Sequence, residues 1–204
     1  MSEPVTRAWE EACWALGIRA RRAAVDDLLA RWSEPHRHYH GLCHLEACLA
    51  LFEDHRDLAE RPGEVLAALL FHDAIYDPTR ADNEARSADL ARARLTEVRP
   101  DALDRVQAMI LATRTHVAEG ADAALVLDVD LAILGADPAR YDGFERAIRA
   151  EYAHVPEEAY RAGRVAILAA FHARAPIFRT LPFREPLEAV AHANLARTIG
   201  LAQR

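Results

Sequence analysis

A net charge of −7 over 204 residues gives no electrostatic reason to expect nucleic acid, and the length suffices to bury one full core. The 51% apolar and 28% charged fractions are those of a folded globular protein. All 25 basic residues are Arg, which removes Schiff-base chemistry and the P-loop lysine, and eight Gly with three Ser leave no dinucleotide-binding Gly cluster and no G-x-S-x-G elbow.

Taken in order, the chain reads as a series of helices. Residues 6–17 and 20–32 come first, the second with Ala24, Leu28 and Trp32 at four-residue steps, ended by Ser33-Glu34-Pro35. A polar stretch from His36 to His44 follows, in which His36 and His38 read as solvated loop residues. From Leu42 a helix runs through Leu45, Leu49 and Phe52, with His44 at its start and His40 at the loop-to-helix junction. The next run, Val65 to Phe71 and on through Ala74-Ile75, is apolar all round and belongs inside the protein. It carries His72-Asp73, and Tyr76-Asp77-Pro78 should stop it. An imidazole and a carboxylate buried there cost several kcal/mol, roughly, unless hydrogen-bonded, paired or bound to a cation.

Arg80 lies in the loop that follows, and Asp82 or Asn83 can cap a helix over about 84–98. Glu84, in its first turn, is either a complement to the helix dipole or a catalyst. A helix over 101–116 has Ala102, Val106, Met109, Ile110 and Thr113 on one face, and His116 continues that stripe inward. Residues 123–134 are ambiguous. As a strand they put Asp128 and Asp130 on one face; as a helix the two lie about 200° apart, so only one can face a given site. Length and the closing Gly135 favour a helix. Helices over about 138–153, 156–174 and 184–201 complete an all-α, single-domain reading of residues 1–204.

Cys13, Cys43 and Cys48 form no C-x-x-C pair and read as buried free thiols of a reducing compartment. Glu10 and Glu11 interrupt any signal-peptide pattern, and the longest apolar run, Val165–Phe171, is too short to span a bilayer. The expectation is a cytoplasmic protein with no membrane partner.

The inward-facing groups are His44, His72, Asp73 and Asp130 or Asp128, with His116 as an extra. Two imidazoles and two carboxylates suit Mn²⁺, Fe²⁺, Co²⁺, Ni²⁺ or Zn²⁺, with Mg²⁺ also open. Four such ligands on a six-coordinate ion leave room for water and a substrate oxygen. The aspartate left out would orient a histidine through its other ring nitrogen. Arg80, Arg114, Arg149 and Arg164 are phosphate-clamp candidates, although Arg149-Ala150-Glu151-Tyr152 reads equally as an internal ion pair with a packed ring.

This order of residues resembles the HD superfamily of metal-dependent phosphohydrolases, whose pattern is His, then His-Asp, then Asp on helices of one bundle. Tyr39-His40-Gly41-Leu42-Cys43-His44 is similar to the Tyr-His-Asn-x-x-His signature of its cyclic-nucleotide phosphodiesterase branch, with Gly41 in place of the Asn. Asp130-Leu131-Ala132 is similar to the Asp-Leu-Ser after the last ligand there. Over about 30–180 the chain also looks like a group of bacterial HD proteins described as predicted phosphohydrolases. They share Tyr-His-x-Leu-x-His, Phe-His-Asp, Asp-Asn-Glu, Asp-x-Asp-Leu-Ala-Ile-Leu-Gly and Ile-Arg-x-Glu-Tyr segments. The resemblance implies a helical bundle of the HD type. Its metal ligands would be His44, His72, Asp73 and Asp130, with His40 as proton donor and a small phosphoester, nucleotide or other, as substrate. Position 76 is Tyr where several nucleotidases carry Glu, and a homo-oligomer stays open. The rival readings are an HD-fold di-iron oxygenase, for which this stretch offers only His116 as an additional histidine, and a non-catalytic module stabilised by its metal.

Overall fold

The computed structural model describes residues 2–202, the last two by backbone alone. They form α1 (Glu3–Ala15), α2 (Arg22–Trp32), α3 (Leu42–Asp54), α4 (Pro62–Phe71), α5 (Asn83–Arg94), α6 (Pro100–Thr115), α7 (Ala121–Leu131), α8 (Pro138–Glu151), α9 (Glu157–His172) and α10 (Leu181–Ala202). Among the described residues there is no strand, so the all-α expectation holds and residues 121–131 are helical. A 3-10 turn, Ala132–Gly135, follows α7 directly. Proline stands in the first two positions of α1, α4, α6 and α8, where its missing N–H costs no helical bond. The chain divides into two compact units, Met1–Val129 and Asp130–Arg204, a division that no linker in the sequence marks.

The first unit is built on α4. Every residue from Gly63 to Phe71 is buried, as a helix apolar on all sides requires. Val65, Leu66, Leu69, Leu70 and Phe71 are each 3% exposed or less, and burying each is worth about 1.5–3 kcal/mol. α1, α3, α5 and α6 pack against it. Close approach of α1 requires glycine: a Cβ on Gly63 would stand 2.4 Å from Ala15 Cβ. Glu64, the one carboxylate in this helix, is met by a two-pronged bond from Arg105 of α6, at 2.7 and 2.6 Å.

In the second unit α10 packs on α9 and on the 3-10 turn. Gly135 lets α10 approach, since a Cβ there would meet Leu187 Cβ at 2.6 Å. Asn194 donates to the carbonyls of Leu134 and Ala136. Arg164 and Glu145 form a two-pronged pair at 3.0 and 2.6 Å, both side chains largely buried. α9 buries only Leu168 of its sixteen residues. Among the described residues, no helix is long and apolar enough to cross a membrane.

Three expectations change. Cys13 and Cys48 are buried, but Cys43 is exposed, because the apolar stripe of α3 turns its first turn outward at that position. α5 ends at Arg94 rather than near 98, with Leu95 turning inward as a buried cap. α4 stops at Phe71, four residues before Ile75, for reasons that belong to the site.

Candidate metal centre

The last carbonyls of a helix lack intrahelical donors and must find others. At the end of α4 these donors are mostly side chains. Leu69 O accepts from His72 Nδ1 at 2.8 Å, and Leu70 O accepts from the Trp32 indole at 3.0 Å. Asp73 O and Ala74 O accept from Arg37 at 2.7 and 3.2 Å. Ile75 O takes the Ser87 hydroxyl, and Tyr76 O takes His36 Nε2 at 2.8 Å. Asn83 holds Asp77 by both its N–H and its carbonyl. With side-chain donors in place, the backbone leaves the helix at His72 before the Tyr-Asp-Pro stop is reached.

This termination aims His72. The Leu69 carbonyl can only accept, so Nδ1 carries the ring proton and Nε2 of the neutral imidazole keeps its lone pair. That nitrogen lies 3.3 Å from His44 Nε2, and both histidines are buried, at 1% and 6% exposure. His44 sits in the first turn of α3, against the Tyr39 ring and with Cys48 Sγ 3.7 Å from its ring nitrogens. Trp32 covers both imidazoles, with ring centroids 5.3 Å from His72 and 6.3 Å from His44.

Asp130, in the last turn of α7, completes a group whose ligand atoms all lie within 4.8 Å of one another: His44, His72 and Asp130. Asp128, two residues back on the same helix, is fully buried and outside that group, as a 200° separation dictates. Asp73 adjoins the group, its Oδ2 3.5 Å from His72 Nε2 and its side chain 14% exposed. Two ligand atoms bound to one ion at about 2.1 Å lie about 3.0–3.4 Å apart in octahedral or tetrahedral geometry, which the 3.3 Å separation of the nitrogens matches. The partial negative charge at the C-terminal end of α4 also favours a cation at this place. The donor set therefore fits a divalent ion.

His40 stands at the rim, half-buried. Its ring stacks on Tyr76 with centroids 4.4 Å apart, meets Tyr39 edge-on at 5.0 Å and lies 6.0 Å from the His44 ring. Its backbone carbonyl accepts from Arg37. A Cβ on Gly41 would meet the Trp32 carbonyl at 3.4 Å, an ordinary van der Waals contact.

The remaining candidates lie elsewhere. His116 closes α6 in the left-handed conformation (φ 53°) and is not one of the three grouped ligands. Glu84 is half-exposed in the first turn of α5. Arg80 is exposed and paired with Asp82, which holds that carboxyl below its ordinary range; Asp82 stands at the N-cap of α5 without a side-chain capping bond. Arg149 lies over Tyr160, pairs with Glu157 and donates to the carbonyls of Tyr152 and Val155. Sequence reasoning missed Trp32, His36 and Arg37 as parts of the site. Their nearness to His40 in the chain was the available signal. Comparisons with protein-family models, curated proteins and solved structures give no match to this chain.

Proposed function

We propose that this protein is a metal-dependent phosphohydrolase acting on a small phosphomono- or phosphodiester. The observation that carries the reading is the pair of buried imidazole nitrogens 3.3 Å apart, beside the Asp130 carboxylate. The likeness of its motifs to the HD superfamily supplies the reaction class. His44, His72 and Asp130 would hold a divalent ion, with Asp73 adjoining as a fourth ligand. Such an ion lowers the pKa of a coordinated water and polarises a phosphoryl oxygen.

The chain's own residues then act on the leaving group. The water would give one proton to solvent; as its oxygen bonds to phosphorus the bond to the leaving oxygen breaks, and protonated His40 gives that oxygen a proton. His40 recovers a proton from solvent. Tyr76 packs on the face of its ring and Tyr39 meets it edge-on. Burial of His44 and His72 under Trp32 keeps bulk water from their nitrogens.

The test compares His40→Ala with wild type on two esters, with metal content measured on the same samples. General acid catalysis contributes roughly 10²–10⁴-fold, and it matters most for a poor leaving group. The variant should keep its metal and lose that factor in kcat/KM on an alkyl phosphoester, while losing little on a nitrophenyl ester. Equal losses on both esters remove His40 from the acid role. A wild-type protein that binds metal tightly and cleaves neither ester is a binding module instead.

A further inference from the structure

We infer that Arg37 is a positioning residue that fixes the proton donor of the site relative to its metal ligands. The inference rests on the metal-dependent reading above. Arg37 is wholly buried at its side chain, a costly place for a guanidinium unless every donor is used. Every donor is used. Nε donates to Glu34 at 3.0 Å, and one terminal nitrogen donates both to His40 O at 2.9 Å and to Asp73 O at 2.7 Å. The other donates to Ala74 O at 3.2 Å and faces the Glu34 carboxylate at 3.0 Å. The rings of Trp32 and Tyr76 lie 5.4 and 5.5 Å from the guanidinium carbon.

The placement of those bonds is the argument. His40 and Asp73 are 33 residues apart in sequence, yet their backbones meet at a single nitrogen of Arg37. One flanks the start of α3 and carries the rim histidine; the other follows His72 directly. The guanidinium thus acts as a rigid spacer between the segment that delivers a proton and the segment that holds the ion. Its aromatic neighbours are themselves site parts, for Trp32 covers both ligand histidines and Tyr76 stacks on His40. Arg37 touches no ligand atom of the group, so its effect passes through the backbone of its partners. Lysine cannot replace it. An ammonium offers three donors from one point and cannot span carbonyls on two segments as a planar fork does.

The experiment uses the full chain and three variants: Arg37→Lys, Arg37→Met and, as a control, Arg105→Met. The control also removes a guanidinium that bonds α4, but at Glu64, at the opposite end of the helix. Each protein is titrated with Co²⁺ by its visible absorption, its Tm is taken without metal, and kcat/KM is measured on an alkyl phosphoester and a nitrophenyl ester. Arg37→Lys should stay folded, bind Co²⁺ about 10–100-fold more weakly as lost supporting bonds do, and change the cobalt band shape. Its loss should be greater on the alkyl ester than on the nitrophenyl ester. Arg105→Met should lower Tm while keeping wild-type cobalt affinity, band shape and ester ratio. If Arg37→Met does not fold, Arg37→Lys decides alone. Arg37→Lys with wild-type cobalt affinity, spectrum and ester ratio overturns the inference, as does an equal cobalt defect in Arg105→Met. A wild type that takes up no Co²⁺ overturns the metal reading and this inference together. A wild type that binds Co²⁺ but cleaves neither ester overturns the phosphohydrolase reading and the proton-donor half of this inference, and the cobalt arm then judges Arg37 only as a support of the metal-holding segment.

Discussion

The two ends of α4 treat buried charge in opposite ways. At the start, Glu64 is buried and meets the guanidinium of Arg105, and Gly63 packs so tightly on Ala15 that no side chain fits between. The carboxylate there is answered by a cation of the protein itself. At the finish, two imidazoles and a carboxylate converge, and Arg37 gives its donors to backbone carbonyls and Glu34 rather than to that carboxylate. The first end joins two oppositely charged side chains. The second gathers two imidazoles and a carboxylate, a donor set that a divalent ion fits. One helix therefore separates an ion pair from a metal-capable group, and burial alone does not tell them apart.

The sharpest way to break this contrast is at the ligands. His72→Ala and Asp130→Ala should each lose the bound metal, and with it phosphoester turnover, as read by elemental analysis and a phosphate-release assay. Full metal content in either variant would refute the assignment. A lesser effect belongs to Asp128, whose buried carboxylate is outside the group: Asp128→Ala should weaken metal binding by about 10–100-fold without abolishing it. The reverse ranking in a metal titration would exchange the two aspartates.

The other end should respond in stability alone. Gly63→Ala sets a methyl group 2.4 Å from Ala15 Cβ and should cost about 1–3 kcal/mol in denaturant unfolding, with metal affinity unchanged. Metal loss at matched folding would erase the distinction between the ends. The smallest effect concerns thiols. Burial pushes the Cys13 thiol up to about 11, so at neutral pH it stays protonated and inert, whereas exposed Cys43 reacts. Iodoacetamide should label Cys43 alone in the metal-loaded protein. Removing the ion should raise labelling of Cys48, which lies against His44, by a few fold, and leave Cys13 unlabelled; mass spectrometry of peptides reads all three.

The helical fold was legible because apolar residues at helical spacing mark several of the helices, and length and a closing Gly135 decided the ambiguous run at 123–134. His44 and His72 were legible too, as polar side chains on apolar elements; Asp130 was one of two aspartates so marked, preferred over Asp128 only by the resemblance, and the structure brings those three together. What supports them was not. Trp32 reads as one more residue of an apolar stripe, because its partner is the carbonyl of Leu70; His36 is an exposed loop residue as read, and only its bond to the Tyr76 carbonyl left no mark. A bond from a side chain to backbone leaves no mark at the accepting position, where any residue supplies the same oxygen. For the same reason the end of α4 at Phe71 could not be seen: the sequence shows Pro78 as the stop, while the stop is applied by side chains more than 30 residues earlier.

That arrangement has a consequence for the order in which the chain is made. Trp32, His36 and Arg37 leave the ribosome before α4 does, so the acceptors of α4 emerge into the company of donors already present. Ser87 and Asn83 follow within 15 residues of His72 and close the segment beyond it. Asp130 comes last, 58 residues after His72, a delay of about 3–12 s at a synthesis rate of about 5–20 residues per second. The newborn chain thus possesses every partner for the end of α4 well before it possesses the third member of the metal-capable group. Closing that helix needs no side chain from α7, whereas the three-residue group is complete only once Asp130 has been made.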